Sequence, residues 1–301
     1  MPRGTVKNRQ GQVGVIGLGL VGSELVKRLV RAGFACSGYD IDENALRDST
    51  ASGMTPLDTP RKVAGTCQRI LLSLPNSDMV DQVVLGPNGL VDGLEPGDLI
   101  IDTTTADPER SSALASCLRD KGVDFLDATI LGSSTMVAEG TALVMVGGET
   151  DPLERARDIL EAFSGEIHHV GGNGKGAEAK LIVNLVLGLN RLVLAEGLLL
   201  GKRAGVDLEA LLGVLRSGAA YSKVMDQKGE RMIAENFEPE ARLSQHLKDV
   251  GLILDMGMKN NLKLPLTALH ASILRSGVEA GYADQDNSAV IKALEHYTKA
   301  D

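Results

Sequence analysis

One stretch decides the fold of the first half of this chain: Gln12-Val13-Gly14-Val15-Ile16-Gly17-Leu18-Gly19-Leu20-Val21-Gly22. Its β-branched beginning predicts a strand, and the glycines have the spacing Gly-x-Gly-x-x-Gly at the start of a helical pattern. Gly17 permits a tight turn, Gly19 permits close approach of a ligand to the backbone, and Gly22 permits close packing of helix on strand. The first N–H groups of the helix then favour an anion. The stretch therefore predicts a turn, including Leu18, that binds the pyrophosphate of a dinucleotide.

Short β-rich runs alternate with amphipathic helical patterns from residue 12 to about residue 170. The predicted strands are Val13–Gly17, Phe34–Tyr39, Arg69–Leu74, Leu99–Asp102, Asp124–Asp127, Ala142–Val146 and Glu166–Val170. Predicted helices such as 22–32 and 108–121 lie between them. This alternation is typical of βαβ units and a mostly parallel, doubly wound sheet. We therefore predict a flexible tail over residues 1–11 and an α/β domain of the Rossmann type over 12–172.

The character of the chain changes at the glycine cluster 171–176, after which no convincing strand follows. Helical patterns cover about 177–204, 207–216, 219–234, 242–260, 265–280 and 286–299. We therefore predict an all-helical substrate and dimerisation domain over 173–301. Its first helix is apolar around most of its circumference and needs cover on all sides. Helices of a second subunit would supply that cover, so we expect a homodimer or homotetramer through the helical domain.

Asp40 ends the second predicted strand, 23 residues after Gly17. A carboxylate in that place accepts hydrogen bonds from a ribose 2′-hydroxyl and repels a 2′-phosphate, so NAD is favoured over NADP. A turn or helix-capping role for Asp40 is the structural alternative. Leu74, Pro75 and Thr105 follow apolar strands at the strand ends where a doubly wound sheet binds its cofactor.

The overall charge and the cysteines limit the class of protein. The chain has 301 residues and a formal net charge of −9, which argues against a nucleic-acid partner but not against a small anionic substrate. Its three cysteines have no metal-ligand spacing and fit a reducing compartment. No hydrophobic signal region begins the sequence, and polar residues interrupt the apolar stretch 181–200. We expect a cytoplasmic protein without a metal site or a membrane partner.

Lys180 and Asn184 lie four residues apart in a strongly apolar helical stretch, so their side chains project from one face of the helix. A lysine in such surroundings pays a desolvation cost unless it has a partner or a function. A snorkelling lysine and a helix-packing amide are the structural alternatives. After a dinucleotide-binding half, the pair suggests a proton donor and an amide that orients a substrate.

Several motifs occur in an order that resembles the β-hydroxyacid dehydrogenase family, which includes 3-hydroxyisobutyrate dehydrogenase and tartronate semialdehyde reductase. The resemblance extends from about residue 12 to residue 292. It rests on the glycine stretch, on Asp102-Thr103-Thr104-Thr105, on the segment from Gly174 through Lys180 and Asn184, on Leu247-Lys248-Asp249 and on Asp286-Asn287-Ser288-Ala289.

The resemblance implies roles for individual residues. Lys180 would be the general acid and base, Asn184 would bind the substrate, and Lys248 would approach both nicotinamide and substrate. Asp249 would anchor its helix. Thr105 occupies the position of a cofactor contact, and Gly132 and Ser133 lie in the segment that binds the substrate.

That substrate segment departs from the family pattern. The family has Asp-Ala-Pro-Val-Ser-Gly-Gly where this chain has Asp127-Ala128-Thr129-Ile130-Leu131-Gly132-Ser133. Leu131 replaces a serine that would bind a substrate carboxylate, so the identity of the substrate stays open. We expect an NAD-dependent enzyme that interconverts a small β-hydroxy acid and its semialdehyde or keto acid. The alternatives are an imine reductase on the same scaffold and a catalytically silent dinucleotide-binding module.

Overall fold

A sheet of eight strands forms the first half of the protein in a computed structural model that describes residues 9–299. The strands are β1 (Gln12–Ile16), β2 (Ala35–Tyr39), β3 (Thr55–Pro56), β4 (Arg69–Leu72), β5 (Leu99–Asp102), β6 (Asp124–Leu131), β7 (Ala142–Gly147) and β8 (Ser164–Gly171). Their order is β3-β2-β1-β4-β5-β6-β7-β8, and only the β6–β7 pair is antiparallel among the described strands. The predicted doubly wound sheet is confirmed.

Helices cover both faces of this sheet. They are α1 (Leu20–Arg31), α2 (Glu43–Ala51), α3 (Pro60–Ala64), α4 (Ser77–Leu85), α5 (Pro108–Arg119), α6 (Ser134–Glu139) and α7 (Thr150–Glu161). Within β4, Leu71 enters one apolar core while Ile70 and Leu72 enter the other. Successive strand residues point to opposite faces, so a strand covered on both sides is apolar throughout.

The second half is helical. It contains α8 (Lys175–Ala204), α9 (Leu208–Ser217), α10 (Lys223–Ile233), α11 (Leu243–Lys259), α12 (Pro265–Glu279) and α13 (Val290–Tyr297). A separate apolar cluster, which includes Leu198, Leu212 and Leu274, fills its interior. The chain divides into two compact units, Met1–Lys180 and Leu181–Asp301, and the division falls inside α8.

Several boundaries differ from the predicted ones; β4, for example, ends at Leu72 instead of Leu74, and α10 begins at Lys223 instead of residue 219. β6 continues to Leu131 instead of ending at Asp127, because residues 127–131 pair with β7. The last predicted helix, 286–299, is divided into a 3-10 turn, Asn287–Ala289, and α13. Arg9–Gly11 of the predicted tail form a 3-10 turn in which Arg9 donates a hydrogen bond to Asp98 at 2.7 Å. The rest of the predicted tail, 1–8, lies outside the described residues.

Candidate functional site

The glycine turn lies between β1 and α1. Gly17 has a φ of 88°, and a Cβ atom there would lie 2.2 Å from the carbonyl oxygen of Ser73. A Cβ atom on Gly22 would lie 1.9 Å from the carbonyl oxygen of Gly17. At Gly19, no described atom outside Gly19 and its two chain neighbours lies within 4 Å of the Cβ position, and no side chain caps α1 there. The turn is therefore tight on the protein side and open where a pyrophosphate would meet the first N–H groups of α1.

Asp40 follows β2 and is half-buried. Its Oδ2 accepts a hydrogen bond from the backbone N–H of Leu18 at 2.5 Å, and its Oδ1 accepts one from Asp42 at 2.8 Å. The carboxylate thereby joins the end of β2 to the glycine turn. A carboxylate accepts about four hydrogen bonds, so these two leave capacity for ribose hydroxyls. Ribose recognition by Asp40 stays a prediction.

The segments after β4 and β5 are joined by two buried threonines. Thr104 Oγ1 accepts a hydrogen bond from the backbone N–H of Leu74 at 3.1 Å, and Thr103 Oγ1 donates one to the carbonyl oxygen of Leu72 at 2.7 Å. Leu74, Pro75 and Thr105 thus lie at the carboxyl ends of neighbouring parallel strands, where the sequence placed them. The sequence analysis missed the role of Thr103 and Thr104, although both belong to the quoted threonine run.

Gly132 and Ser133 follow β6. Ser133 caps α6, because its Oγ accepts a hydrogen bond from the backbone N–H of Met136 at 3.3 Å. The cap uses the oxygen as an acceptor and leaves the hydroxyl hydrogen available for a substrate carboxylate. Leu131 pairs with Leu143 at the end of β6, so it belongs to a strand and not to a loop.

Asp102 and Asp127 are neighbours in register on β5 and β6. Their exposed fractions are 1% and 2%. Burial raises the pKa of Asp102 to about 7, although hydrogen bonds from Thr104 oppose this. Burial also raises the pKa of Asp127, against the effect of backbone N–H groups that include those of Gly174 and Ala177. The sequence analysis did not identify this pair, although each aspartate ends a predicted strand.

Lys180 and Asn184 both lie on α8, one turn apart. Lys180 is 8% exposed and is the last residue of the first unit, and Asn184 is 6% exposed in the second unit. Both side chains are therefore shielded from water, as the apolar surroundings in the sequence predict. A lysine and an asparagine that are both buried fit a chemical role better than the role of solvated surface residues.

In the helical unit, Asn184 is held by Asp249 of α11. Asn184 Nδ2 donates a hydrogen bond to Asp249 Oδ2 at 3.0 Å, and Lys248 Nζ lies 3.2 Å from Asp249 Oδ1. Asp249 thus joins α11 to α8, in line with the anchoring role expected for it. The Lys248 side chain is 26% exposed, so this ion pair is partly buried.

The expectations about a metal site and a membrane partner stay predictions. Residues 9–299 contain no group of three or more His, Cys, Asp or Glu side chains that could hold a metal ion. α8 is long and apolar enough to cross a membrane, but core helices of soluble proteins meet the same criterion.

Comparison with known proteins places the chain in a family. Residues 12–171 match the NAD-binding domain of 6-phosphogluconate dehydrogenase, and residues 174–294 match the NAD-binding domain of NADP-dependent 3-hydroxyisobutyrate dehydrogenase. A 2-(hydroxymethyl)glutarate dehydrogenase from Eubacterium barkeri is 32% identical over 95% of this chain and 96% of its own length. The chain belongs to the β-hydroxyacid dehydrogenase family. The resemblance noted in the sequence is thereby confirmed.

Two further proteins are similar to this chain over nearly its whole length. A 2-hydroxy-3-oxopropionate reductase from Escherichia coli is 31% identical over 94% of this chain and 97% of its own length. The crystal structure of a 3-hydroxyisobutyrate dehydrogenase from Salmonella typhimurium has a TM-score of 0.85 at 26% identity, over 93% of this chain and 99% of that one. Membership of this family makes the protein an NAD(P)-binding oxidoreductase.

Proposed function

We propose that the protein is an NAD-preferring dehydrogenase that interconverts a small β-hydroxy acid and its semialdehyde or keto acid. The observation that carries this proposal is the burial of Lys180 and Asn184 one turn apart on α8. The glycine turn around Gly17, which fits a pyrophosphate, supports it. So do the names of the similar proteins, which describe dehydrogenases and a reductase of hydroxy acids and their carbonyl forms.

Lys180 is the general acid and base in this proposal. A nicotinamide cofactor held at the glycine turn would supply the hydride acceptor for oxidation and the hydride donor for reduction. Lys180 takes the hydroxyl proton during oxidation, and its ammonium donates that proton to the carbonyl oxygen during reduction. Asn184 orients the substrate, and its hydrogen bond to Asp249 determines which way its amide faces. Ser133, Gly132 and Lys248 bind the acid group.

The cofactor preference follows from Asp40. Its carboxylate lies beside the glycine turn, to which it is joined through the N–H of Leu18. A negative group in this place repels a 2′-phosphate, which supports NAD over NADP.

Leu131 favours imine reduction as a second candidate function, because it makes the substrate segment more apolar. Lys180 and Asp40 favour the alcohol–carbonyl reaction, since a buried ammonium suits proton transfer to an alkoxide and a carboxylate at the end of β2 favours NAD.

We further propose a cytoplasmic homodimer or homotetramer assembled through the helical half. α8 exposes four apolar side chains at intervals of four and seven residues: Ile182, Val186, Val193 and Leu200. A second copy would remove this apolar stripe from water. Light scattering after size-exclusion chromatography tests this: Val193→Glu is expected to give monomers, whereas Ile41→Glu, at an exposed position of the first unit, is expected to keep the oligomer.

The central test is turnover with NAD and NADP on a panel that includes 3-hydroxyisobutyrate, glycerate, threonate and 2-(hydroxymethyl)glutarate. Lys180→Ala is expected to lower kcat by about two to four orders of magnitude and to leave NAD affinity nearly unchanged. Lys175→Ala is the matched control, because Lys175 lies on the same helix but is exposed and paired with Glu178. Near-normal turnover by the Lys180 variant would contradict the proposed mechanism.

A further inference from the structure

Two side chains of β6 hold the first turn of α8. Asp127 Oδ1 accepts a hydrogen bond from the backbone N–H of Gly174, and its Oδ2 accepts one from Ala177, both at 2.9 Å. Thr129 Oγ1 donates a hydrogen bond to the carbonyl oxygen of Gly176 at 3.0 Å. We name Asp127 and Thr129 together the β6 clamp.

Both side chains of the β6 clamp are shielded from water. Asp127 is 2% exposed and Thr129 is fully buried. The first N–H groups of a helix have no partner within the helix, and they carry the positive end of its dipole. A buried carboxyl group that accepts two of these hydrogen bonds is a stronger anchor than an exposed cap, since water cannot replace it.

The helix also lies directly against the strand at Gly176. A Cβ atom on Gly176 would lie 2.2 Å from the backbone carbonyl oxygen of Asp127. No larger residue fits between α8 and β6 at this point. The beginning of α8 therefore has no room to shift towards the sheet, and the β6 clamp opposes a shift away from it.

The β6 clamp acts on the peptide that supports Lys180. In an α-helix, a carbonyl oxygen accepts the N–H four residues later, so the Gly176 oxygen that binds Thr129 is also the acceptor for the N–H of Lys180. Thr129 replaces the proline of the family's segment and thereby adds a hydroxyl that proline lacks. We infer that Asp127 and Thr129 are positioning residues that fix the location of Lys180 for proton transfer; this inference rests on the proposed function of Lys180.

Substitutions of nearly constant shape test the inference. Thr129→Val is expected to lower kcat about tenfold and Asp127→Asn about a hundredfold, because small displacements of a catalytic group are costly. NAD affinity is expected to stay within about threefold of the wild-type value, since the glycine turn is untouched. Thr129→Ser restores the hydroxyl and is expected to recover kcat to within about twofold.

Asp98→Asn is the matched control. Asp98 is also a buried aspartate of the first unit, 1% exposed, and accepts hydrogen bonds from Arg9 and from the backbone of Glu95. It directly precedes β5, at the amino end of that strand, whereas Asp127 pairs with Asp102 at the carboxyl end of β5. Its substitution is expected to lower the melting temperature while kcat stays near the wild-type value. A loss of kcat in Asp98→Asn equal to that in Asp127→Asn would show a general effect of destabilisation and would overturn the inference.

Amide hydrogen exchange of residues 174–180 supplies a measurement that needs no turnover. Faster exchange in Thr129→Val and Asp127→Asn, but not in Asp98→Asn, is expected. If the wild-type protein shows no hydroxy-acid turnover, the proposed function fails while this exchange still reports on the β6 clamp. If Lys180→Ala is inactive but Thr129→Val and Asp127→Asn keep full kcat and slow exchange, the clamp fails and the proposed function stands.

Discussion

Asn184 Nδ2 and Asp249 Oδ2 lie 3.0 Å apart and join α8 to α11 inside the helical unit. The two residues are 6% and 7% exposed. A carboxamide has a donor end and an acceptor end, so a bond from its nitrogen to a buried carboxylate determines which end faces Asp249. The orientation of the proposed substrate-binding amide therefore depends on a residue of another helix.

Substitution of Asp249 by alanine is expected to lower kcat/KM by about a hundredfold, because the Asn184 amide loses its buried acceptor. Steady-state kinetics on the substrate identified by the panel measures this. Asp255→Asn, at an exposed position of the same helix, is expected to have no effect. Unchanged kcat/KM in the Asp249 variant would show that Asn184 does not need this acceptor.

Substitution of Asp40 by alanine is expected to weaken NAD binding more than NADP binding. The variant loses the acceptor for ribose hydroxyls and also the repulsion of a 2′-phosphate. Isothermal titration with each cofactor measures the ratio of the two dissociation constants. Asp48→Ala, on the exposed face of α2, serves as the control. An unaltered ratio in the Asp40 variant would contradict the assignment of cofactor preference to this residue.

Asp286 makes the stability of the helical unit depend on pH. Burial alone would raise the pKa of this carboxyl, but Lys228, 3.0 Å away, and Ser288 outweigh burial and lower the pKa to about 2 from 3.8. The ionised group therefore stabilises the fold at pH values above the unfolded-state pKa, and this contribution is lost as the pH falls towards 2. The shift corresponds to about 2 kcal/mol.

Substitution of Asp286 by asparagine is expected to lower the free energy of unfolding by about 2 kcal/mol or more at pH 7. The difference in the free energy of unfolding between the variant and the wild type is expected to decrease as the pH is lowered. Urea unfolding over a pH series measures it, and Asp284→Asn, whose side chain is 87% exposed, is the control. A difference that is the same at every pH would show that the charge of Asp286 is not responsible.

Arg191 is a buried cation in the helical unit. It is 4% exposed, and its Nε and Nη1 are buried without a hydrogen-bond partner among residues 9–299. Burial lowers the pKa of Arg191 to about 10, although the charge of Asp286 opposes this. Asp286 is already engaged by Lys228 and Ser288.

Substitution of Arg191 by methionine keeps much of the side-chain length and removes the buried charge. We expect the free energy of unfolding to rise by about 1–3 kcal/mol, as measured by urea unfolding at neutral pH. Arg203→Met, at a side chain that is 70% exposed, is expected to change it little. A clear loss of stability in the Arg191 variant would mean that the guanidinium has an acceptor, such as ordered water, in solution.

The secondary structure of the chain was largely predictable because its signals are local. The bounds of β5 match the predicted Leu99–Asp102, and the predicted helix 265–280 corresponds to Pro265–Glu279, with proline in its first turn. The glycine turn was predictable for the same reason, since its backbone requirements are contained within six residues. Short elements such as β3 (Thr55–Pro56) were missed, because two residues carry no periodic pattern.

Contacts between distant residues were not predictable in this way. β6 extends to Leu131 because β7 supplies antiparallel partners for its last residues. No pattern within the sequence of β6 predicts this pairing. Asp127 binds backbone groups 47 and 50 residues later, and Asn184 binds a carboxylate 65 residues later. A sequence shows the residue types of such pairs but not which of them meet.

The amino-acid sequence by itself determined the succession of the longer strands and helices along the chain, the position of the dinucleotide-binding turn and the residues proposed for chemistry. Periodicity, glycine spacing and one-turn separations on a helix act over a few residues, so they can be read directly. Only the tertiary structure decided that Asp127 and Thr129 hold the start of α8 and that Asp249 orients Asn184. These contacts form because folding brings separate strands and helices together and removes water from the polar groups between them, which must then bond to each other.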